Sequence, residues 1–467
     1  MKVIITLLIL ALSTPTFADI FRILDSNQEA AQTRVDLVQQ AQNEILTSYF
    51  IYNKDSAGLY GLALLRQAKR RGVKRIKVIL DASFNELDIG MVKHLKDEGI
   101  DIRLYHPGPL PVTPGKLMTL MANMMDEDYK FGDETKKAIQ KMVRRMHDKL
   151  LIVDASTEQN YLLTGGRNMK GDYYGAYHKN YDDRDVLVRS KKAVRQAQEY
   201  FYRLWDSQHV GKPYYQMAKP EQVKIAKLEL DVAMMEMETN KLFKLNTCND
   251  VTKGENEVNT VKFLHSEITQ DGKVRSDTMS KQLAKIVTER TIKSLVIETP
   301  YLVPTDTFYK VIKQILDKKI YVRVLTNSLG STDGVEVAAA YSNHKKRLIE
   351  MGIDLWEYQG PNYLHAKSAV IDDQIALIGS YNLDPRSANL NTEVAVMIDD
   401  PIKAKELRAS FDKNIGGYAS VQLDKNGDPI GGYKNAPKWY NKSDWMKLLR
   451  YYSFQVLSEW DVIYDQL

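Results

Sequence analysis

The chain is poor in cysteine, in histidine and in long apolar runs, and each shortage excludes something. It has one cysteine, Cys248, in 467 residues. A single thiol cannot form an internal disulfide, so a buried core must supply stability, which a chain of this length can do. Cys248 lies in the polar stretch KLNTCNDVTKG and is assigned no role. The longest apolar run, Val3 to Leu12, is too short to span a bilayer. It follows one lysine and leads into small and turn-forming residues ending Thr16-Phe17-Ala18. That is the layout of a secretory signal peptide cut after Ala18. An exported protein is therefore expected, whether periplasmic, membrane-associated or secreted. The dense basic-aromatic tracts that grip nucleic acid are missing, so nucleic acid is not an expected partner. The net charge of +5 suits an anionic substrate or an anionic membrane surface without demanding either.

Two stretches repeat one another. EILTSYFIYNKDSAGLYGLALLRQAKRRGVKRIKVILD predicts a strand (Ile45 to Tyr52), a helix (Tyr60 to Arg71) and a strand (Ile76 to Asp81). KSLVIETPYLVPTDTFYKVIKQILDKKIYVRVLTN predicts a strand (Leu295 to Thr299), a helix (Thr305 to Asp317) and a strand (Val322 to Thr326). Strand, helix, strand implies parallel pairing with a right-handed crossover. Each copy continues into a helix, a Gly-Ile-Asp turn at 99–101 or 352–354, and another strand, with glycine suited to the helix C-cap. A shared element order with a shared tripeptide at the same place argues for internal duplication.

The expected organisation follows: a leader at 1–18, a first half at 19–205, a helical connection at 206–290, a second half at 291–415 and an extension at 416–467. An insert at about 107–145 interrupts the first half. It is turn-rich at PGPLPVTPG and then Met-rich, and is expected to pack as a helix on its domain.

A duplication should duplicate its chemistry. MHDKLLIVD carries His147, Lys149 and Asp154; LHAKSAVID carries His365, Lys367 and Asp372. Both read His-x-Lys, four residues, Asp. The other six histidines, His94, His106, His178, His209, His265 and His344, lack such a setting and are expected to be structural. Downstream, Gly165, Gly166 and Asn168 match Gly379, Ser380 and Asn382. Then Asp185 in DRDVLV and Glu393 in NTEVAV each open an apolar strand.

This set fits cleavage of a phosphodiester. Lysine and amide groups can hold the non-bridging oxygens and stabilise the charge that builds on them. One neutral imidazole can attack phosphorus and form a phosphohistidine. A second, protonated, can protonate the leaving alkoxide. A carboxylate behind each ring fixes its tautomer and steadies the imidazolium. Cationic side chains do the charge work, so no metal or other cofactor is expected. Asp154 and Asp372 stand five residues beyond the lysines, about 16 Å along a strand, and are expected to be structural.

RRMHDKLLIVD, GGRNMKGDYYG, ETPYLVP and HAKSAVIDDQIALIGSYNLDPRSANLNTE resemble the phospholipase D superfamily, and most closely its bacterial cardiolipin synthases. The resemblance spans most of residues 44 to 400. It implies an α/β fold of two similar halves, each a mixed sheet flanked by helices, around one shared site. It implies a ping-pong reaction on phospholipid, with transfer of a phosphatidyl group to water or an alcohol. His147 would be the nucleophile and His365 the acid. Lys149, Lys367, Asn168 and Asn382 would hold the phosphate, and Asp185 and Glu393 would orient the rings. Two departures stand out. Gly166 occupies a position where the family often has serine, and Asp183 is near enough to replace Asp185 as a ring partner. A membrane surface is an expected partner. The alternative within the same chemistry is an endonuclease, and a non-catalytic scaffold is disfavoured by two complete motifs. Sequence leaves the head group, the acceptor and the oligomeric state open.

Overall fold

The structure, a computed structural model, describes residues 19–106, 144–213, 215–245, 249–253, 255, 257–259, 261–416 and 419–458. The expected leader, most of the insert (107–143) and Cys248 lie outside the described residues.

The first half supplies β1 (Asp19–Leu24), β2 (Glu44–Tyr49), β3 (Arg75–Asp81), β4 (Asp101–Tyr105), β5 (Lys149–Val153), β6 (Tyr161–Gly165), β7 (Tyr181–Asp182) and β8 (Asp185–Arg189). Between the halves come β9 (Val210–Gly211), β10 (Glu257–Val258), β11 (Val261–His265), β12 (Glu267–Ile268) and β13 (Val274–Arg275). The second half supplies β14 (Ser294–Glu298), β15 (Tyr321–Asn327), β16 (Asp354–Tyr358), β17 (Tyr363–Leu364), β18 (Ser368–Ile371), β19 (Ile375–Gly379) and β20 (Val394–Asp399), followed by β21 (Ser420–Gln422).

The duplication is explicit in the strand order. One sheet runs β10-β1-β8-β6-β5-β2-β3-β4-β9 and the other β11-β20-β19-β18-β14-β15-β16-β21. Apart from β10, the two orders match strand for strand. β2, β3 and β4 are parallel, as are β14, β15 and β16, and the remaining neighbours within each sheet are antiparallel. The crossover helices are Ser56–Arg71 and Asp306–Asp317, begun by the side chains of Asp55 and Thr305, which accept from Gly58 N and Phe308 N. Gly99 (φ 86°) and Gly352 (φ 101°) adopt the left-handed turns that the Gly-Ile-Asp pattern requires.

The connection and the C-terminal extension contribute more than expected. Residues 206–290 include the helix Pro220–Met237, but also β11, the edge strand paired with β20. The second sheet thus begins before residue 291. Its other edge, β21 on β16, comes from the extension. Edge strands are recruited by open ladder groups, which a local reading of helix-rich sequence does not reveal.

A central core joins the halves. Phe21, Leu46, Ile152 and Val186 of the first sheet meet Phe263, Val296, Val370 and Val396 of the second, with the helices Lys191–Trp205 and Pro401–Ile415 beside them. Each such side chain contributes about 1.5–3 kcal/mol on burial, so the halves are held together by apolar packing and the site between them is rigidly framed.

Candidate active site

The paired motifs converge because adjacent antiparallel strands bring their ends together. His147 and Lys149 stand at the start of β5, Asn168 just beyond the end of β6, and Asp183 just before β8. In the second half the same places are the starts of β18 and β20 and the end of β19, with His365, Lys367, Asn382 and Glu393. All are buried.

The halves then exchange partners. His147 Nδ1 lies 3.0 and 3.1 Å from the carboxylate oxygens of Glu393, in the other half. His365 Nδ1 lies 2.6 Å from Asp183 Oδ2, again across the interface. Backbone bridges enforce the exchange. His147 N donates to Thr392 O at 3.2 Å and Thr392 N to Arg145 O at 3.0 Å. Reciprocally, β17 pairs with β7, and His365 N donates to Asp182 O at 2.8 Å.

Asp185 does not orient a ring. It pairs with Arg34 at 2.9 Å and lies 3.5 Å from Arg167. The register gives the reason. Gly166 N donates to Arg184 O and Ser380 N to Val394 O, so Asp183, one residue before Arg184, matches Glu393. Asp185 opposes Gly165 as Ala395 opposes Gly379. The glycines permit the close approach, since a Cβ on Gly165 or Gly379 would stand 2.4 Å from the carbonyl of Arg184 or Val394. Gly166 has a further reason to lack a side chain. A Cβ there would stand 2.0 Å from Asp183 Oδ1. In the second half Ser380 instead donates its hydroxyl to Glu393, and Ser387 donates at 2.7 Å.

Asp154 and Asp372 serve the scaffold. Each takes a left-handed backbone (φ 50° and 56°) and accepts three backbone amides that lead into the neighbouring strand. These are Gln42, Asn43 and Glu44 at 2.7–2.8 Å, and Ile292, Lys293 and Ser294 at 2.8–2.9 Å.

The lysine amines fold back beside their histidines, with Lys149 Nζ 2.7 Å from His147 O and Lys367 Nζ 2.9 Å from His365 Nδ1. Asn168 accepts from Ile51 N at 3.1 Å and donates to Tyr173 OH at 3.0 Å. The side-chain oxygen of Asn382 is buried without a hydrogen-bond partner.

Electrostatics tie the cluster together. Burial, then the charge of Lys367, holds Lys149 down to about 7. Burial takes Lys367 down to about 8 against the pull of Asp183 and Glu393. Burial and the surrounding cations push His147 well below its ordinary value. His365 is lowered too, by burial and Lys367, while Asp183 resists the shift. The carboxylates differ. Burial would raise Asp183, but His365 and Lys367 hold it at about 2, whereas burial lifts Glu393 well above the ordinary range.

Sequence reasoning missed several neighbours. Phe50 packs edge-on to His147 at 5.0 Å, and Tyr173, Tyr181 and Tyr301 surround His365 at 5.3, 5.0 and 6.2 Å. Arg184 clamps the halves by donating to Glu298 at 2.5 Å and Ser368 at 3.0 Å. Single aromatics and arginines carry no spacing signature. The signal available was the glycine at 166 facing a serine in the other copy.

Two copies of one sheet, sharing one buried His-Lys-carboxylate cluster, define an enzyme of the phospholipase D superfamily. The family model described as "Cardiolipin synthase, PLD-like domain" matches residues 35–205 and 286–415, and the chain belongs to that family. Among curated proteins, an "Uncharacterized protein" of Helicobacter pylori is 27% identical over 413 residues, covering 83% of this chain and 78% of that one. Cardiolipin synthase C of Escherichia coli is 25% identical over 416 residues, covering 83% of each. Among solved structures, phosphatidylserine synthase of Haemophilus influenzae superposes with a TM-score of 0.63 at 16% identity, covering 96% of this chain and 95% of that one. That likeness concerns the fold.

Proposed function

We propose that the protein transfers a phosphatidyl group from a phospholipid to water or an alcohol through a phosphohistidine on His147. The observation that carries this is the reciprocal pairing of each imidazole with a carboxylate of the other half, beside two lysines at one point. The family and the synthase relatives support phospholipid as the substrate.

The two rings are not equivalent, and their difference supports a division of roles. His147 is pushed strongly toward the neutral form, which leaves Nε2 a lone pair for attack while Nδ1–H is held by Glu393. His365 is lowered less far, because the ionised Asp183 opposes burial and Lys367, so of the two rings it is the better placed to carry the proton that is donated. In the first step His147 Nε2 bonds to phosphorus, the bond to the leaving alkoxide breaks, and His365 gives that alkoxide its proton. In the second, His365 takes a proton from the acceptor hydroxyl, whose oxygen displaces the histidine. Lys149, Lys367 and the side-chain NH2 of Asn382 would donate to the non-bridging oxygens.

The test is incubation of the full chain with mixed phospholipids and mass spectrometry of the products. Phosphatidic acid would mark hydrolysis and cardiolipin would mark transfer to a lipid alcohol. An unchanged lipid pool, or cleavage of added DNA instead, would overturn the proposal. Trapping with labelled substrate should place label on His147; label on His365 would reverse the roles.

A further inference from the structure

The last helix, Lys442–Leu457, buries only Leu448 fully, yet it is rich in large apolar side chains. Trp445, Leu449, Tyr452 and Val456 recur at i, i+4, i+7 and i+11, so they form one stripe along the helix, and all four are exposed. Just before the helix, Trp439 stacks on Tyr452 with ring centroids 5.9 Å apart and planes 4° from parallel. Its neighbour Tyr440 is 82% exposed. An apolar face of this size would ordinarily be covered.

The charges within this segment are one-sided. Residues 438–457 carry Lys438, Lys442, Lys447 and Arg450 against the single Asp444, a net charge of +3. Tryptophan and tyrosine with flanking cations are the composition of a surface that lies at a lipid headgroup boundary, with rings at the interface and cations toward anionic phosphates. No helix among the described residues is long and apolar enough to cross a membrane, so contact of this kind would be peripheral.

The helix also reaches the loop that holds two of the rings around His365. Lys447 Nζ donates to Thr332 O at 3.2 Å. The next residue, Asp333, accepts from Tyr181 OH at 2.8 Å and Tyr301 OH at 2.7 Å, two of the rings that surround His365. Arg450 binds Glu336 on the adjoining helix Val335–Glu350.

From these three features we infer that Trp439, Tyr440 and the exposed stripe of helix Lys442–Leu457 dock the protein on an anionic phospholipid bilayer, on the Asp333 side of the His147–His365 site. The inference rests on the phospholipid reading above. Its test compares the full chain with a Trp445→Ser/Leu449→Ser/Tyr452→Ser variant and with a Lys438→Glu/Lys442→Glu variant. Binding is read by co-sedimentation with vesicles of phosphatidylglycerol and phosphatidylcholine. Turnover is read on those vesicles and on a short-chain, monomeric phosphatidylglycerol. Both variants should lose vesicle binding and vesicle turnover by about tenfold or more while keeping monomer turnover within about twofold. The inference falls if the full chain does not bind the vesicles or if both variants bind them as the full chain does. It also falls if monomer turnover drops as far as vesicle turnover, or if the stripe proves to join two copies, seen as a dimer that the serine variant dissociates. Vesicle binding that the variants lose, in a protein that turns over no phospholipid, would uphold docking and overturn phosphatidyl transfer.

Discussion

Glu393 stands 3.0 Å from Nδ1 of His147, although 246 residues of chain separate them. Asp183 holds His365 in the mirror arrangement at 2.6 Å. Neither half can therefore assemble a complete histidine site by itself. The apolar core between the sheets is what keeps each ring on its carboxylate.

The two aspartates of DRDVLV should separate cleanly. Asp183→Asn removes the ionised partner of His365 and should lower kcat by about 10³- to 10⁴-fold with little change in Tm. Asp185→Asn strands the buried Arg34 and should cost about 3–5 kcal/mol of stability while activity per folded molecule stays within about threefold. Kinetics and thermal unfolding of the two variants check this, and the opposite pattern would restore Asp185 as the ring partner.

A methyl group at position 166 should be felt at His365. Gly166→Ala puts a carbon 2.0 Å from Asp183 Oδ1, and the carboxylate must move. We expect kcat to drop by about 10²-fold, since a displacement of about 1 Å in a positioning group has that effect. Ser380→Ala deletes the hydroxyl bond to Glu393 and the bond that the hydroxyl accepts from Val394 N, displaces no group, and should cost about tenfold or less. Equal losses in the two variants would contradict the asymmetry.

On the basic side the pH profile should fall first with His365, whose proton-donating form is lost as pH rises through a value below the ordinary 6.5, and then with the lysines. Lys149 is held at about 7, so its charge is present below that pH and is lost as pH rises through it. kcat/KM, which reports the free enzyme, should therefore fall further above about pH 7, with Lys367 adding to the fall near 8. Lys149→Arg keeps its charge and should flatten the limb near 7 in whatever activity remains. Because His147 is pushed well below its ordinary value, no acid limb should appear between about pH 6 and 7.

Asp154→Ala and Asp372→Ala should act on stability alone. Each removes a carboxylate that accepts three backbone amides, and each should cost about 2–4 kcal/mol in urea unfolding. Activity per folded molecule should be unchanged; a selective loss of turnover would place these residues in the chemistry.

The sequence by itself determined that the chain is doubled and which residues recur in both copies. His147, Lys149, Asn168 and their counterparts are tied to strand ends by fixed local spacing, and local spacing survives folding. Element order, the Gly-Ile-Asp turns and the two-half α/β fold were legible for the same reason. Asp183 and Asp185 were not separable, because they stand two apart and both precede or open an apolar strand. Only the register of β8 against β6 chooses between them, and register is set by the whole sheet. The exchange of carboxylates between halves, the aromatic walls and the edge strands drawn from residues 206–290 and 416–467 were likewise decided by tertiary structure. They depend on how two sheets pack face to face, which no spacing within one copy records.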